Sequence, residues 1–208
     1  MTGVLGYANH YGDSVPLPDN LVRVPLVQQS QDFSCGAAAT LLLLRYWSVD
    51  GYARADESAL YEALHTTRTR GTEPGPIADL LCRYGLHAEY RSGDVSVHDL
   101  ERAVNTKEPP IVDLQAWSDH NATWRETWDA GHYVVMVGYD PQRLYFADPS
   151  RATPGGYAFL ERTELDDRWH DLTGANDEQV HRMAIFVRGT TRCPGATGPV
   201  SERATKLG

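Results

Sequence analysis

Phe33-Ser34-Cys35-Gly36 and the run behind it, Ala37-Ala38-Ala39-Thr40-Leu41-Leu42-Leu43-Leu44-Arg45-Tyr46-Trp47, decide how the rest of the chain is read. Alanine and leucine are strong helix formers, so residues 36–47 make the best helix in the sequence. The segment is apolar nearly all round, which predicts a central, buried helix. Cys35 stands directly before it. The free N–H groups and macrodipole at a helix start favour a thiolate. A dipole contribution of at most ~2 kcal/mol lowers a thiol pKa by only about 1.5, from a starting value near ~8.5. The helix alone therefore leaves the thiol only partly ionised at neutral pH, and a strongly activated thiolate needs an imidazolium beside it. The competing reading of Cys35 is a buried, inert cysteine. Cys82, within Leu80-Leu81-Cys82, fits that reading better, and Cys193 lies in the C-terminal tail as an incidental residue.

Working outward, Val24-Pro25-Leu26-Val27 reads as a short extended segment leading to the helix. Asp56 is placed to cap a second helix, with Leu60, Ala63 and Leu64 on its buried face. Gly71 to Gly75 is a loop, and Pro76 suits the first position of a helix through about Arg83. Strands are expected at 86–91, 111–116, 144–147 and 157–160 and near 183–187. Helices are expected at 96–103 and near 163–169. Tyr133 to Tyr139, YVVMVGY, is a near-continuous apolar run that suits a strand buried on both faces. Asp140-Pro141-Gln142 then turns the chain into a hairpin, and Gly155-Gly156 reads as another turn. Helices come first and an antiparallel sheet second, which predicts an α+β fold in two lobes with a cleft between them.

The chain has 208 residues, 41% hydrophobic, enough for one domain with a real core. Its net charge of -9 argues against a nucleic-acid partner and against a polybasic membrane anchor. No apolar run approaches the ~20 residues of a membrane span. The N-terminus has neither a basic start nor an apolar stretch of signal-peptide length, so a cytoplasmic location is expected. The sequon at Asn121 is then without consequence. Three cysteines, with no C-x-x-C or H-E-x-x-H, point to thiols; a disulfide framework or a zinc site has little support. No cofactor is implied, and no residue pattern signals an oligomeric state.

Eight histidines are present, and His132 alone opens a strongly apolar strand, where its ring can reach a cleft. Asp140, eight residues along the same strand, is about 26 Å away at ~3.3 Å per residue, too far to orient it. With the turn centred near Pro141, His132 falls opposite about Ser150. Asp148 is then two residues off on the same face, within reach of Nδ1. Asp113 on a neighbouring strand is a rival. Gln29 sits in a polar run, QQSQD, with Gln28 and Gln31 close by, and such a run is ordinarily a solvated loop. Trp117, Trp124 and Trp128 form either a substrate wall or lid beside His132 or the packing of a long loop.

Gln29 six positions before Cys35, Cys35-Gly36 with its small-residue apolar helix, His132 opening the strand that ends Gly138-Tyr139, and then Asp148-Pro149 together resemble the bacteriocin-processing, double-glycine leader peptidases and their stand-alone relatives. These are papain-like cysteine peptidases, and the likeness runs from about Val24 to Asp148. The resemblance implies Cys35 as nucleophile, His132 as base, Asp148 as its orienter and Gln29 as the oxyanion-hole donor. Gly36, Trp117, Trp124 and Trp128 are the candidates for contact with substrate. It implies a papain-like fold for the peptidase-like domain at 23–188, while the residues themselves read as a polar, turn-rich surface segment at 1–22 and a loose tail at 189–208. Three departures stand out. The transporter and ATPase domains of fused members are not expected within these 208 residues, Ser34 occupies a position that is commonly acidic, and the Trp-rich stretch lies outside the motif. The expected activity is hydrolysis of a peptide or amide bond, in a peptide or an amide-containing small molecule, through an acyl-enzyme. An acyltransferase or amide synthase using the same site and a non-catalytic peptide-binding relative are the alternatives.

Overall fold

The structure is a computed structural model, and it describes residues 14–117, 123–190 and 201–208. Cys193 and the sequon at Asn121 lie outside the described residues, as does part of the Trp-rich stretch. In chain order the elements are β1 (Ser14–Pro16), α1 (Cys35–Tyr46), α2 (Pro74–Arg83), β2 (His87–Arg91), α3 (Val97–Asn105), β3 (Ile111–Gln115), β4 (Gly131–Tyr139), β5 (Arg143–Ala147), β6 (Tyr157–Glu161), α4 (Leu165–Arg168), β7 (His170–Thr173), β8 (Glu178–His181), β9 (Ala184–Arg188) and β10 (Arg203–Lys206).

The fold is α+β. Eight strands form one sheet in the order β1-β10-β6-β5-β4-β3-β9-β2, and β7 pairs with β8 as a separate ribbon. The large sheet is antiparallel except between β10 and β6, which run parallel. α1 is buried along its whole length apart from Arg45, as its all-round apolar sequence demands. Leu41 to Leu44 are essentially inaccessible, and burying each contributes about 1.5–3 kcal/mol. Arg45 keeps its guanidinium at the surface side and donates to the carbonyls of Tyr52 and Ala55, 3.2 and 2.7 Å away. α1 and α3 both pack on β4, which is buried from His132 to Gly138. The helical half and the sheet half thus meet along the strand that His132 opens.

Several boundaries differ from the sequence reading for local reasons. The helix capped by Asp56 is only a single 3-10 turn at Glu57–Leu60, and the Asp56 side chain makes no cap bond. Leu60 and Leu64 are buried all the same, and the Leu64 N–H donates to the Leu60 carbonyl at 2.9 Å, one further turn along. α2 starts at Pro74, two residues before Pro76. α3 is closed by a capping box, Ser96 with Asp99.

The larger correction concerns the ends. A loose tail was expected over 189–208, yet Arg203–Lys206 forms β10 between β1 and β6, with Ala204 and Leu207 buried. Arg-Ala-Thr-Lys carries only one apolar residue, so no alternation marks it as a strand. The described part of the N-terminal segment, 14–22, also joins the body through β1 and through Val22, whose N–H donates to the Val137 carbonyl at 2.7 Å. Gly138 makes room for this arm: a Cβ there would stand 2.6 Å from the Pro18 ring. The hairpin β7–β8 was missed as well, since HDLT and EQVH are mostly polar.

Candidate active site

Cys35 opens α1, as the sequence placed it, and is 8% exposed. No side-chain cap fills the helix start. The Ser34 hydroxyl instead donates to the Gln31 carbonyl at 2.9 Å and meets Glu57 Oε1 at 3.3 Å. Glu57 also accepts from the Ser30 N–H at 2.6 Å, so one buried carboxylate from the 3-10 turn ties down the loop that carries the cysteine. Burial works against its charge, but the bonds from Ser30 and Ser34 hold Glu57 below the usual carboxylate range. Sequence reasoning passed over Glu57 and looked to its neighbour Asp56; no spacing signal distinguishes the two. An acidic group therefore stands beside Ser34 although position 34 itself is not acidic.

His132 approaches from β4. β4 and β5 pair with Val135 opposite Ala147, a register that continues to His132 opposite Ser150 and leaves Asp148 on the diagonal. A bulge at Val137 shifts the pairing nearer the turn and leaves this end intact. His132 Nε2 lies 2.7 Å from Asp148 Oδ1. The expected contact was through Nδ1; the structure uses Nε2 and leaves Nδ1 as the ring nitrogen for the thiol, with which His132 is hydrogen-bonded. Asp148 is further held by the hydroxyl of Thr153 and by the Ser150 N–H at 2.8 Å. Thr153 carries no motif and was not singled out.

The electrostatics are mutually consistent. Burial alone pushes His132 towards the neutral form, but the charge and hydrogen bond of Asp148, with Cys35 adding, raise it to about 10. Burial likewise opposes ionisation of Cys35. The hydrogen bond and charge of His132, then backbone groups of Tyr133 and Gly36, outweigh that and bring the thiol below its ordinary value. Asp148, despite burial, is held low by His132, Thr153 and Ser150. Such an arrangement shifts the balance towards a thiolate–imidazolium pair.

Gln29 is 7% exposed. Its backbone N–H donates to the Pro149 carbonyl at 2.8 Å, which fastens the loop before Cys35 to the loop after Asp148. Its Nε2 donates to the Gln31 carbonyl at 2.8 Å, and an amide nitrogen has a second hydrogen to give. Gly36 permits close packing: a Cβ there would lie 2.8 Å from Thr72 Cβ and 3.1 Å from the Tyr133 ring. The three tryptophans separate. Trp117 meets the His132 ring edge-on at 6.4 Å between centroids. Trp128 lines a cavity of about 590 Å³ that also contains Cys35. Trp124 lies under the Arg168 guanidinium, 3.7 Å from its ring centroid, and is not part of that cavity. Asp113, the rival carboxylate, faces the cavity and pairs with Asp171, away from the His132–Asp148 contact. Among the described residues no group of three or more His, Cys, Asp or Glu is arranged to hold a metal, and no helix is long and apolar enough to cross a membrane.

A fold of this kind, with a cysteine at a buried helix start and a histidine and aspartate brought from a sheet, is that of the papain-like cysteine peptidases. The chain belongs to the Peptidase_C39-like family, whose model matches residues 21–176. Among solved structures it is similar to a C39-like peptidase from Bacillus anthracis, at 19% identity and a TM-score of 0.60, covering 86% of this chain and 100% of that one. It is also similar to a double-glycine motif protease from an AMS/PCAT transporter in complex with the leader peptide, at 18% identity and a TM-score of 0.54, covering 84% and 98%. The peptidase domain of Streptococcus ComA, a bifunctional ABC transporter of a quorum-sensing pathway, matches at 16% identity and a TM-score of 0.54, covering 81% and 100%. At these identities the likeness establishes the fold. No curated protein matches the chain.

Proposed function

We propose that the protein hydrolyses a peptide or amide bond through an acyl-enzyme on Cys35. The observation that carries this reading is the 2.7 Å contact of His132 Nε2 with Asp148, which leaves the other ring nitrogen for the thiol. In this reading the Cys35 thiolate attacks the carbonyl carbon, and the C=O electrons move onto oxygen. The Gln29 amide and the backbone N–H at Cys35 stabilise that oxyanion. As the C–N bond breaks, the imidazolium of His132 gives its proton to the departing amine. Water then attacks the thioester with neutral His132 taking its proton, and the acid leaves as the thiolate–imidazolium pair is restored. Asp148 keeps the ring oriented throughout.

The fold neighbour bound to a leader peptide supports a peptide as the substrate class. An amide within a small modified peptide or natural product requires the same residues. Handing the acyl group to an amine instead of water uses the same intermediate and depends on water access to it. The test is mass spectrometry of products from candidate peptides incubated with the wild-type protein and with Cys35→Ala, with and without an added primary amine. Cleavage that requires Cys35, with the acid as product, supports the hydrolase. An amide product formed only with the amine identifies a transferase. No Cys35-dependent product and no thioester adduct across a diverse peptide set would leave the non-catalytic reading standing.

A further inference from the structure

The cavity beside Cys35 has an unusual floor. Asp113 on β3 is 3% exposed, is hydrogen-bonded to Asp171 at the start of β7, and has its Oδ1 buried without a hydrogen-bond partner. Asp171 Oδ1 accepts from Gln115 Nε2 at 3.0 Å. Its Oδ2 lies where only a glycine can pass, because a Cβ on Gly131 would stand 2.1 Å from it. Two carboxyl groups in contact share a proton and still leave a negative charge. No lysine or arginine is paired with either of them among the described residues. The lining as a whole carries six carboxyl groups and two arginines. Both arginines are engaged at the rim. Arg70 pairs with Asp177 at 2.8 Å and Glu73 at 3.4 Å, and Arg68 lies over the Phe33 ring at 5.9 Å. The phenol of Tyr133 registers the field: after burial, the charges of Asp113, Asp171, Cys35 and Glu73 push it well above its ordinary value. The same lining includes the apolar side chains of Trp128, Leu172, Val180 and Met183.

A cavity that combines apolar side chains with an unpartnered carboxylate oxygen and an excess of acidic groups matches an alkyl chain with a cationic head. We infer that this cavity is a specificity pocket that receives an arginine- or lysine-like alkyl cation of the substrate next to the bond Cys35 attacks, with Asp113 and Asp171 as its acceptors. The inference rests on the proposed role of Cys35, so its test separates the two. The full chain is alkylated at Cys35 by iodoacetamide, which reads thiolate reactivity without using the pocket. In parallel it is alkylated by dipeptidyl chloromethyl ketones bearing arginine or the neutral isostere citrulline in either residue. Protection of Cys35 from iodoacetamide by arginine amide against citrulline amide covers the leaving side of the bond. Each rate is divided by the iodoacetamide rate of the same variant.

The expected result is a preference of about 10- to 100-fold for arginine over citrulline in one of these positions, the size of charge-assisted hydrogen bonds to an ionised carboxylate. In Asp113→Asn and in Asp171→Asn that ratio falls towards one. A wild-type ratio near one in every position overturns the pocket assignment while fast iodoacetamide labelling leaves the nucleophile intact. Slow iodoacetamide labelling would instead overturn the reading of Cys35.

Discussion

Two buried aspartates flank β4, and they are in opposite states. Asp148, just past β5, faces an imidazole, accepts from Thr153 and Ser150, and is held below the usual carboxylate range despite its burial. Asp113, on β3, faces another carboxyl group, and burial together with the charge of Asp171 holds it well above that range. Both are about equally inaccessible, at 3% exposure, so burial does not separate them. The partner does. A buried carboxyl beside a cation gains from ionising, and one beside a second carboxyl loses. The first arrangement supports an activated thiol, and the second is the acceptor inferred above for a substrate cation.

The largest effect that can break this comparison is on turnover. Loss of the Gln29 amide in Gln29→Ala lowers kcat about 100-fold or more, the usual consequence of removing one oxyanion donor, with a smaller change in KM. Steady-state kinetics on a cleaved peptide checks it. Next come the two aspartates themselves. Asp148→Ala strands the imidazole and lowers stability by about 3 kcal/mol. Asp113→Asn removes a repulsion and leaves stability within about 1 kcal/mol of wild type. Urea unfolding at pH 7 reads both, and equal losses would contradict the contrast.

The pH dependence sharpens it. The contribution of Asp148 is present above its unfolded pKa and is lost as pH falls through its lowered folded value. That of Asp113 runs the other way: it is present below the unfolded pKa and is lost as pH rises through its raised folded value. His132 adds stability that is fully present below its unfolded pKa and disappears as pH climbs through about 10. Unfolding midpoints of wild type and His132→Gln from pH 7 to 11 should therefore converge at the alkaline end. The smallest effects concern the tryptophans. Trp128→Ala, in the cavity wall, raises KM on the order of 10-fold, whereas Trp124→Ala, outside it, changes kcat/KM less than about 3-fold.

Much of this was legible in the chain. The all-apolar run after Cys35 gave the central helix, and the length of the Tyr133–Tyr139 run gave the buried strand, because both elements are covered on every side. Simple register counting about Pro141 put Asp148 near His132, as their contact shows, because the one-residue shift at the Val137 bulge offsets a turn that is really centred between Pro141 and Gln142. The identity of the bonded ring nitrogen was missed, because it depends on side-chain rotation rather than register. β10 and the β7–β8 hairpin were missed because short polar strands carry no period. The Asp113–Asp171 pair joins residues 58 positions apart on elements of which one was unrecognised, so no local pattern could announce it. The partner roles of Glu57 and Thr153 are of the same kind.

The central claim is that the helix start does not activate Cys35 unaided and that His132 supplies the missing charge. The direct measurement is the rate of iodoacetamide labelling of Cys35 at pH 7 in wild type and in His132→Ala, with labelled sites assigned by peptide mass mapping. The account predicts wild-type labelling faster than that of a free cysteine, and a drop on losing the imidazole that approaches about 30-fold as the thiol returns towards its ordinary pKa, at which it is only a few per cent ionised at that pH. Wild-type labelling no faster than a free thiol, or equal rates in the two proteins, would contradict it.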